Sequence, residues 1–311
     1  MIARSGVALV LKRKWLRFLL LIAWLPVLFP AFGIFAFEYS STEEELRRLI
    51  VGALRGPLGR PDLAFVARDE PDAARHEVWS TLILLYFRVP QLFAMVGLVG
   101  LIAPMLVSYD LRTKAYLMYF SRPLSPSQYI LGKSAVIWFF LASIATVPAL
   151  LLYLLGVLLS PDLSVVTQTC DIPLRILGAS VVLIVPTTML AVFYSSLTSE
   201  SRYATFAWLA TWVMGFVAYN LLTFTSAAIA NGGPMRRRRR RDPFFEPDTF
   251  EIDLDQWRWL SPYHTLGKVE SWVFGLDSTE ASVWPFVAIL VGITVVGFWI
   301  VRKQILARLS V

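Results

Sequence analysis

Side chains able to make and break bonds are few in this sequence, and they lie far apart. There are two histidines, His76 and His264, and one cysteine, Cys170. A zinc site needs three or four His, Cys or carboxylate ligands at short spacings, and His264 and His76 have no such partners beside them. The sequence holds no His-Glu-x-x-His pair for a metalloprotease and no Gly-x-Ser-x-Gly turn to raise a nucleophilic serine. It also lacks the Gly-x-x-x-x-Gly-Lys loop whose backbone amides cradle nucleotide phosphates. His264, after Ser261-Pro262-Tyr263, reads as a capped loop residue. Cys170 reads as a free, inert thiol near the outer surface, since one cysteine forms no internal disulfide. The expectation is a chain with no catalytic residue, no metal and no cofactor of its own, hence not an enzyme.

Positive charge is grouped. Lys12-Arg13-Lys14, the loop 108–134, six consecutive arginines at 236–241 and the tail with Arg302, Lys303 and Arg308 contribute to a net charge of +7. In a soluble protein that balance would point to nucleic acid. The composition argues otherwise. Residues of the apolar set make up 57% and charged residues only 16%, where soluble domains sit near ~25% charged. Mean hydropathy is +0.62. Such a chain cannot cover itself with polar surface, so it is read as an integral membrane protein. Its basic loops are then held on the cytoplasmic side, and no nucleic-acid partner is expected.

The elements that must carry these residues follow from hydropathy. Six stretches, at about 15–37, 89–107, 135–159, 172–194, 203–229 and 283–301, are apolar enough to span; a helix needs roughly 20 residues to cross a bilayer. None alternates like a barrel strand, and helices satisfy their own backbone groups in lipid. The expected fold is all-α integral membrane: a single polytopic transmembrane domain over 1–311, with outer loops at 38–88 and 230–282. The first span is too long for a signal-peptide core and no small-x-small cleavage site follows, so it is expected to be retained. Short loops decide orientation, and the basic ones place both termini in the cytoplasm. The arginine run then falls outside, as a solvated segment or a grip on anionic headgroups. The alternative is that 203–229 forms a re-entrant hairpin and leaves that loop inside.

Within the loop 38–88, Thr42-x-x-Glu45 reads as a capping box. Leu46, Leu49, Ile50, Ala53 and Leu54 then recur at helical spacing, with Glu43–Arg47 and Glu44–Arg48 as supporting pairs. This predicts a short amphipathic helix ended by Gly56-Pro57. Residues 231–256 read as flexible, and Trp257, Trp259, Trp272 and Trp284 as an interfacial belt. Starting the second span at Val89 puts Arg88 at the boundary, where it can snorkel to the surface. No Asp, Glu or Lys falls within the six stretches, unlike the acids of proton-coupled pumps.

The informative segment runs from Ser108 to Lys133. Ser108 can cap a helix, and Asp110 sits in its first turn, where the dipole favours negative charge. Leu111, Ala115, Met118 and Tyr119 share one face, and Pro123 stops the helix at or before Arg122. Ser125-Pro126-Ser127-Gln128 then supplies an N-cap, a proline at N1 and a glutamine at N3, the start of the third span. Taken alone, this is an ordered connector: short helix, turn, capped helix.

Asp110-Leu-Arg112, Tyr119-Phe-Ser-Arg-Pro-Leu-Ser125 and Tyr129-Ile-Leu-Gly-Lys133 resemble the membrane (permease) subunits of ATP-binding-cassette (ABC) exporters, type-2 permease family. Its members show an acid-Leu-Arg helix followed by Ser-Arg-Pro-Leu-Ser after the second span. The resemblance implies a separate ABC ATPase subunit that carries ATP and Mg. It implies a second copy of this chain, or a homologous permease, facing the first across an export pathway in membrane lipid, with the plasma or inner membrane as the expected location. It makes 108–122 a coupling segment, with Asp110, Leu111, Arg112, Tyr116, Tyr119, Ser121, Arg122 and Pro123 as ATPase contacts. Ser199, Glu200 and Arg202 become a second cytoplasmic contact, and the stretch ending at Lys12–Lys14 and Arg17 an interfacial helix. Arg112, Lys114 and Arg122 could pair with ATPase carboxylates or with lipid headgroups. Two other readings stand beside it: a non-transporting membrane anchor or scaffold subunit, and a lipid-modifying enzyme, which would need acids or histidines clustered at one membrane face. Spans without buried charge suit an apolar or amphipathic cargo, such as a lipid or a drug.

Overall fold

The computed structural model describes residues 2–41, 43–115, 124–162, 164–230, 254–277 and 283–309. Among them the chain is helical, without a strand. Six helices are long and apolar enough to cross a membrane: Lys14–Glu38, Pro71–Arg112, Pro126–Leu159, Val165–Leu197, Ser201–Ser226 and Trp284–Arg308. The protein is therefore a multi-pass membrane protein. Its helicity follows from the solvent, since in hydrocarbon each backbone group needs a partner within its own segment.

Helix α1 (Ile2–Leu11) packs along the third span, with Gly6 against Val136 and Leu106. Helices α2 (Lys14–Trp24) and α3 (Leu28–Glu38), joined by a tight turn at Leu25–Val27, form the first span. Three helices follow: α4 (Glu44–Arg55), α5 (Pro61–Asp69) and α6 (Pro71–Pro90). A wide π turn at Gln91–Met95 carries α6 into α7 (Val96–Leu106), the second span. After α8 (Ser108–Arg112) come α9 (Pro126–Leu141), a second π turn at Ala142–Thr146 and α10 (Val147–Leu159). Helices α11 (Val165–Thr169) and α12 (Ile172–Leu197) make the fourth span, and α13 (Ser201–Ala230) the fifth. A 3₁₀ turn at Leu254–Leu260, α14 (Pro262–Val273) and α15 (Trp284–Leu309) complete the chain.

Prolines inside the spans show how the bundle holds together. Pro148 has no N–H to give the carbonyl of Ile144, and the Tyr86 hydroxyl donates there instead. Pro104 likewise leaves the carbonyl of Gly100 open, and Thr205 Oγ1 fills it at 2.8 Å. Each proline thus ties its helix to a neighbour. Close packing does the rest. A Cβ at Gly100 would lie 2.7 Å from the Trp208 ring, and one at Gly156 2.8 Å from Trp79. Both tryptophans are buried.

Several expectations are corrected. The helix that contains the second span begins at Pro71, well before residue 89, so the segment before it is not a loop. In its polar first half Arg75, His76 and Glu77 find ionic partners on other elements, and Asp72 pairs with Arg75 within the helix, so this half needs no apolar continuity. Helix α13 runs unbroken from Ser201 to Ala230, which removes the re-entrant hairpin. The amphipathic helix is present as α4, with Ile50 and Leu54 buried and Leu49 exposed. Thr42 lies outside the described residues. The N-cap of α4 is Glu43, which makes no side-chain cap bond. Arg48 pairs with Glu44 as expected, at 3.5 Å, but Arg47 also turns to Glu44, at 3.0 Å, rather than to Glu43. The run Arg236 to Arg241 also lies outside the described residues.

Candidate functional site

The site begins at the start of α9. Ser125 Oγ accepts from Gln128 N at 3.2 Å, and Gln128 Oε1 accepts from Ser125 N at 3.0 Å, with Pro126 at the first helical position. This reciprocal cap, as the sequence predicts, fixes where α9 starts. Tyr129 and Lys133, four residues apart, then project from one face. Lys133 Nζ lies 2.6 Å from Asp110 Oδ2, and the Tyr129 hydroxyl donates to the same oxygen at 3.0 Å. The Asp110 and Lys133 side chains are 9% and 6% exposed. Asp110 is thus an internal anchor of α8, not a surface contact. Ser108 does not cap α8 either. It is buried, and its Oγ donates to the carbonyl of Ser195 at 2.8 Å, at the end of α12 where helix carbonyls lack partners. Arg308 of α15 donates to the neighbouring carbonyl of Ser196 at 3.2 Å.

Helix α8 is shorter than the sequence predicts. It ends at Arg112, and Lys114 takes φ +56°, a left-handed conformation that costs a residue with a Cβ about 1–2 kcal/mol. Leu111 and Ala115 therefore do not lie on one continuous helix. Tyr116, Met118, Tyr119, Ser121, Arg122 and Pro123 lie outside the described residues. Leu111 packs half-buried against the core, while Arg112 and Lys114 are exposed. Ser199 and Arg202 are exposed and Glu200 is half-buried. Helix α8 touches both α12 and α13, so the two sequence-predicted contacts, 108–112 and 199–202, share one end of the bundle. The exposed cations Arg112, Lys114 and Arg202 lie at the same end as the buried Asp110–Lys133 pair. Among the described residues no three His, Cys, Asp or Glu side chains could hold a metal ion.

The opposite end is built differently. Glu38, at the close of the first span, accepts from Arg75 Nε at 3.1 Å, from Trp79 Nε1 at 3.0 Å and from Ser160 Oγ at 3.3 Å. His76 Nε2 stands 3.0 Å from Asp171, which Arg175 Nε also meets at 2.6 Å. Arg60 pairs with Glu77. Arg88 does not snorkel. It turns inward to the carbonyl of Tyr263, to Gln91 and toward Glu270, a buried acid on α14. His264 sits on a helix, not in a loop, stacked on Tyr219 with ring centroids 3.6 Å apart. Cys170 is exposed and free. The Arg88–Glu270 cluster escaped sequence reasoning because its members are 182 positions apart in the chain. The one available signal was an arginine at the edge of an apolar stretch. No protein-family model matches the chain, and no curated protein matches it.

Proposed function

We propose that this chain is the permease subunit of an ABC transporter of the export type, which moves its substrate with energy from ATP hydrolysed on a separate subunit. The observation that supports the reading is the anchoring of α8. Its exposed side carries Arg112, with Lys114 just beyond its end, while its buried side is bolted to α9 through Asp110–Lys133 and to α12 through Ser108–Ser195. A push delivered to a short exposed helix is absorbed if the helix is loosely tethered. Here it would pass into the second, third and fourth spans at once. A partner ATPase presenting carboxylates to Arg112, Lys114 and Arg202 fits this surface, and the resemblance adds Arg122 to the same contact. Two copies of the chain would form the pathway, with both termini and α8 in the cytoplasm.

The test is purification of the chain with and without its ATPase partner, followed by transport and transport-stimulated hydrolysis. Alone, the chain should not hydrolyse ATP. Arg112→Glu and Arg122→Glu should still insert, since neither falls within an apolar stretch. Each should weaken assembly or uncouple hydrolysis from transport, because reversal of a paired interfacial charge costs about 2–5 kcal/mol. The double change Tyr116→Ala, Tyr119→Ala should act in the same direction. Unaltered assembly and coupling in all three variants would favour a scaffold subunit instead.

A further inference from the structure

The polar cluster around Glu270 has no part in that reading and does not depend on it. Glu270 is fully buried. Its Oε1 accepts from Gln91 Nε2, while its Oε2 has no hydrogen-bond partner among the described residues. The nearest cation, Arg88, holds Nη1 3.7 Å from Oε2, beyond hydrogen-bond reach. Arg88 is kept there by other partners. Its Nη1 donates to the carbonyl of Tyr263 at 2.7 Å, and its guanidinium lies 3.6 Å from the centre of the Tyr263 ring. Gly267 makes the approach possible, since a Cβ at that position would collide with the guanidinium. A fully buried carboxylate whose Oε2 has an ion-pair partner at 3.7 Å but no hydrogen bond is incompletely compensated, and such burial is costly. A proton on Oε2 removes that cost and leaves the Gln91 bond to Oε1 intact. Gln91 is the first residue of the π turn in the second span, and such turns concentrate at sites of movement or function.

We propose that Glu270 is a proton-binding site, and that gain or loss of this proton sets how firmly α14 is held on the second spanning helix at its π turn.

Protonated, Glu270 keeps its bond to Gln91 and leaves Arg88 to Tyr263. Ionised, it draws Arg88 from Tyr263 while its own desolvation opposes the docking of α14. Burial pushes the Glu270 carboxyl up to about 7, against the opposing pull of Arg88 and the Gln91 bond. The other charged or titratable groups of the neighbourhood are few. Arg88 comes from α6 and Arg258 from the turn before α14. On α14 itself are Tyr263, His264 and Lys268, the last paired with Asp277 at 3.0 Å. His264, against Tyr219 of α13, is lowered to about 4 by burial and by the charges of Arg88 and Arg258, so it stays neutral near pH 7. The facing stretches of α12 (176–193) and α15 (285–300) contain no Asp, Glu, His, Lys or Arg. The sign follows from linkage. The docked state binds a proton that a free glutamate, with an ordinary value of 4.5, has already lost. The contribution to docking is therefore complete below about 4.5 and is lost as pH rises through about 7.

The test uses the full chain in lipid nanodiscs and reads two signals between pH 5 and 9. The first is the infrared band of a protonated carboxyl. It should vanish as pH rises through about 7, be absent in Glu270→Gln, and move to higher pH in Arg88→Gln by about one unit or more, a tenfold gain in proton affinity. The second is amide hydrogen exchange over 262–273, corrected for the intrinsic effect of pH. It should be several-fold faster at pH 8 than at pH 6 in the unaltered chain, and equal at the two values in Glu270→Gln. Identical band titrations with and without Glu270 would overturn the assignment. So would exchange with the same pH ratio in Glu270→Gln as in the unaltered chain. Should Glu270→Gln fail to fold, Arg88→Gln still decides, because a midpoint that does not move excludes a carboxyl 3.7 Å from that guanidinium.

Discussion

At the end of the bundle that carries α1 and Arg308, one buried ion pair, Asp110–Lys133, and two bonds to the last carbonyls of α12 do most of the tying. At the other end, Glu38 alone accepts from three side chains on two elements, and Asp171 is shared by His76 and Arg175. The first arrangement concentrates cohesion in one pair and leaves Arg112 and Lys114 exposed on the surface. The second spreads cohesion over partly redundant contacts and closes that end with α4, α5, α6 and α14. A single substitution should therefore matter most at the first end. There, the energy of the joint resides in few groups, and removing either member strands a charge that water cannot reach.

The largest effect should come from Asp110→Ala. It leaves Lys133 buried without its carboxylate, and breaking a buried pair by removing one partner costs about 3–5 kcal/mol. Thermal unfolding in detergent should show a strongly lowered midpoint. The double change Asp110→Leu, Lys133→Met should recover most of it, because no stranded charge remains. If the double variant is as unstable as the single one, the pair is not the main tie. Next comes Gly156→Val at the opposite end, where a side chain would run into Trp79; overpacking of this kind costs about 1–3 kcal/mol. Tryptophan fluorescence should shift as Trp79 is displaced, while Asp110 and Lys133 remain paired. Smaller again is Ser125→Ala, which removes the side-chain half of the cap of α9 and should cost about 1 kcal/mol. Its effect should grow if Lys133 depends on the start of that helix for its position, which a cycle with Asp110→Ala would measure. The smallest effect belongs to His76→Ala. Asp171 keeps Arg175, the pair is part-exposed, and the loss should stay below about 1 kcal/mol. A loss as large as that of Asp110→Ala would erase the contrast between the ends.

The sequence by itself determined the medium and the six long apolar helices found among the described residues, because a 20-residue apolar stretch has one low-energy answer in lipid. It also determined the start of α9, since the Ser125–Gln128 cap is made of residues three apart and needs nothing from the rest of the chain. The amphipathic α4 was legible for the same reason, its period being local. Hydropathy could not place the start of the helix that contains the second span. The polar turns from Asp72 to Glu77 become part of a long helix only because Glu38, Asp171 and Arg60 come from elsewhere to meet them. Nor could it turn Asp110 inward. A carboxylate in a first turn reads as a dipole partner facing solvent, and only the folding of α9 against α8 brings Lys133 within 2.6 Å. Glu270 shows the difference most clearly. In the sequence it lies outside every apolar stretch. In the fold, helix α14 tucks between α12, α13 and α15 and carries that carboxylate to Arg88 on the second span. Which charges end up buried is decided by long-range packing, because desolvation depends on what covers a group and not on its neighbours in the chain.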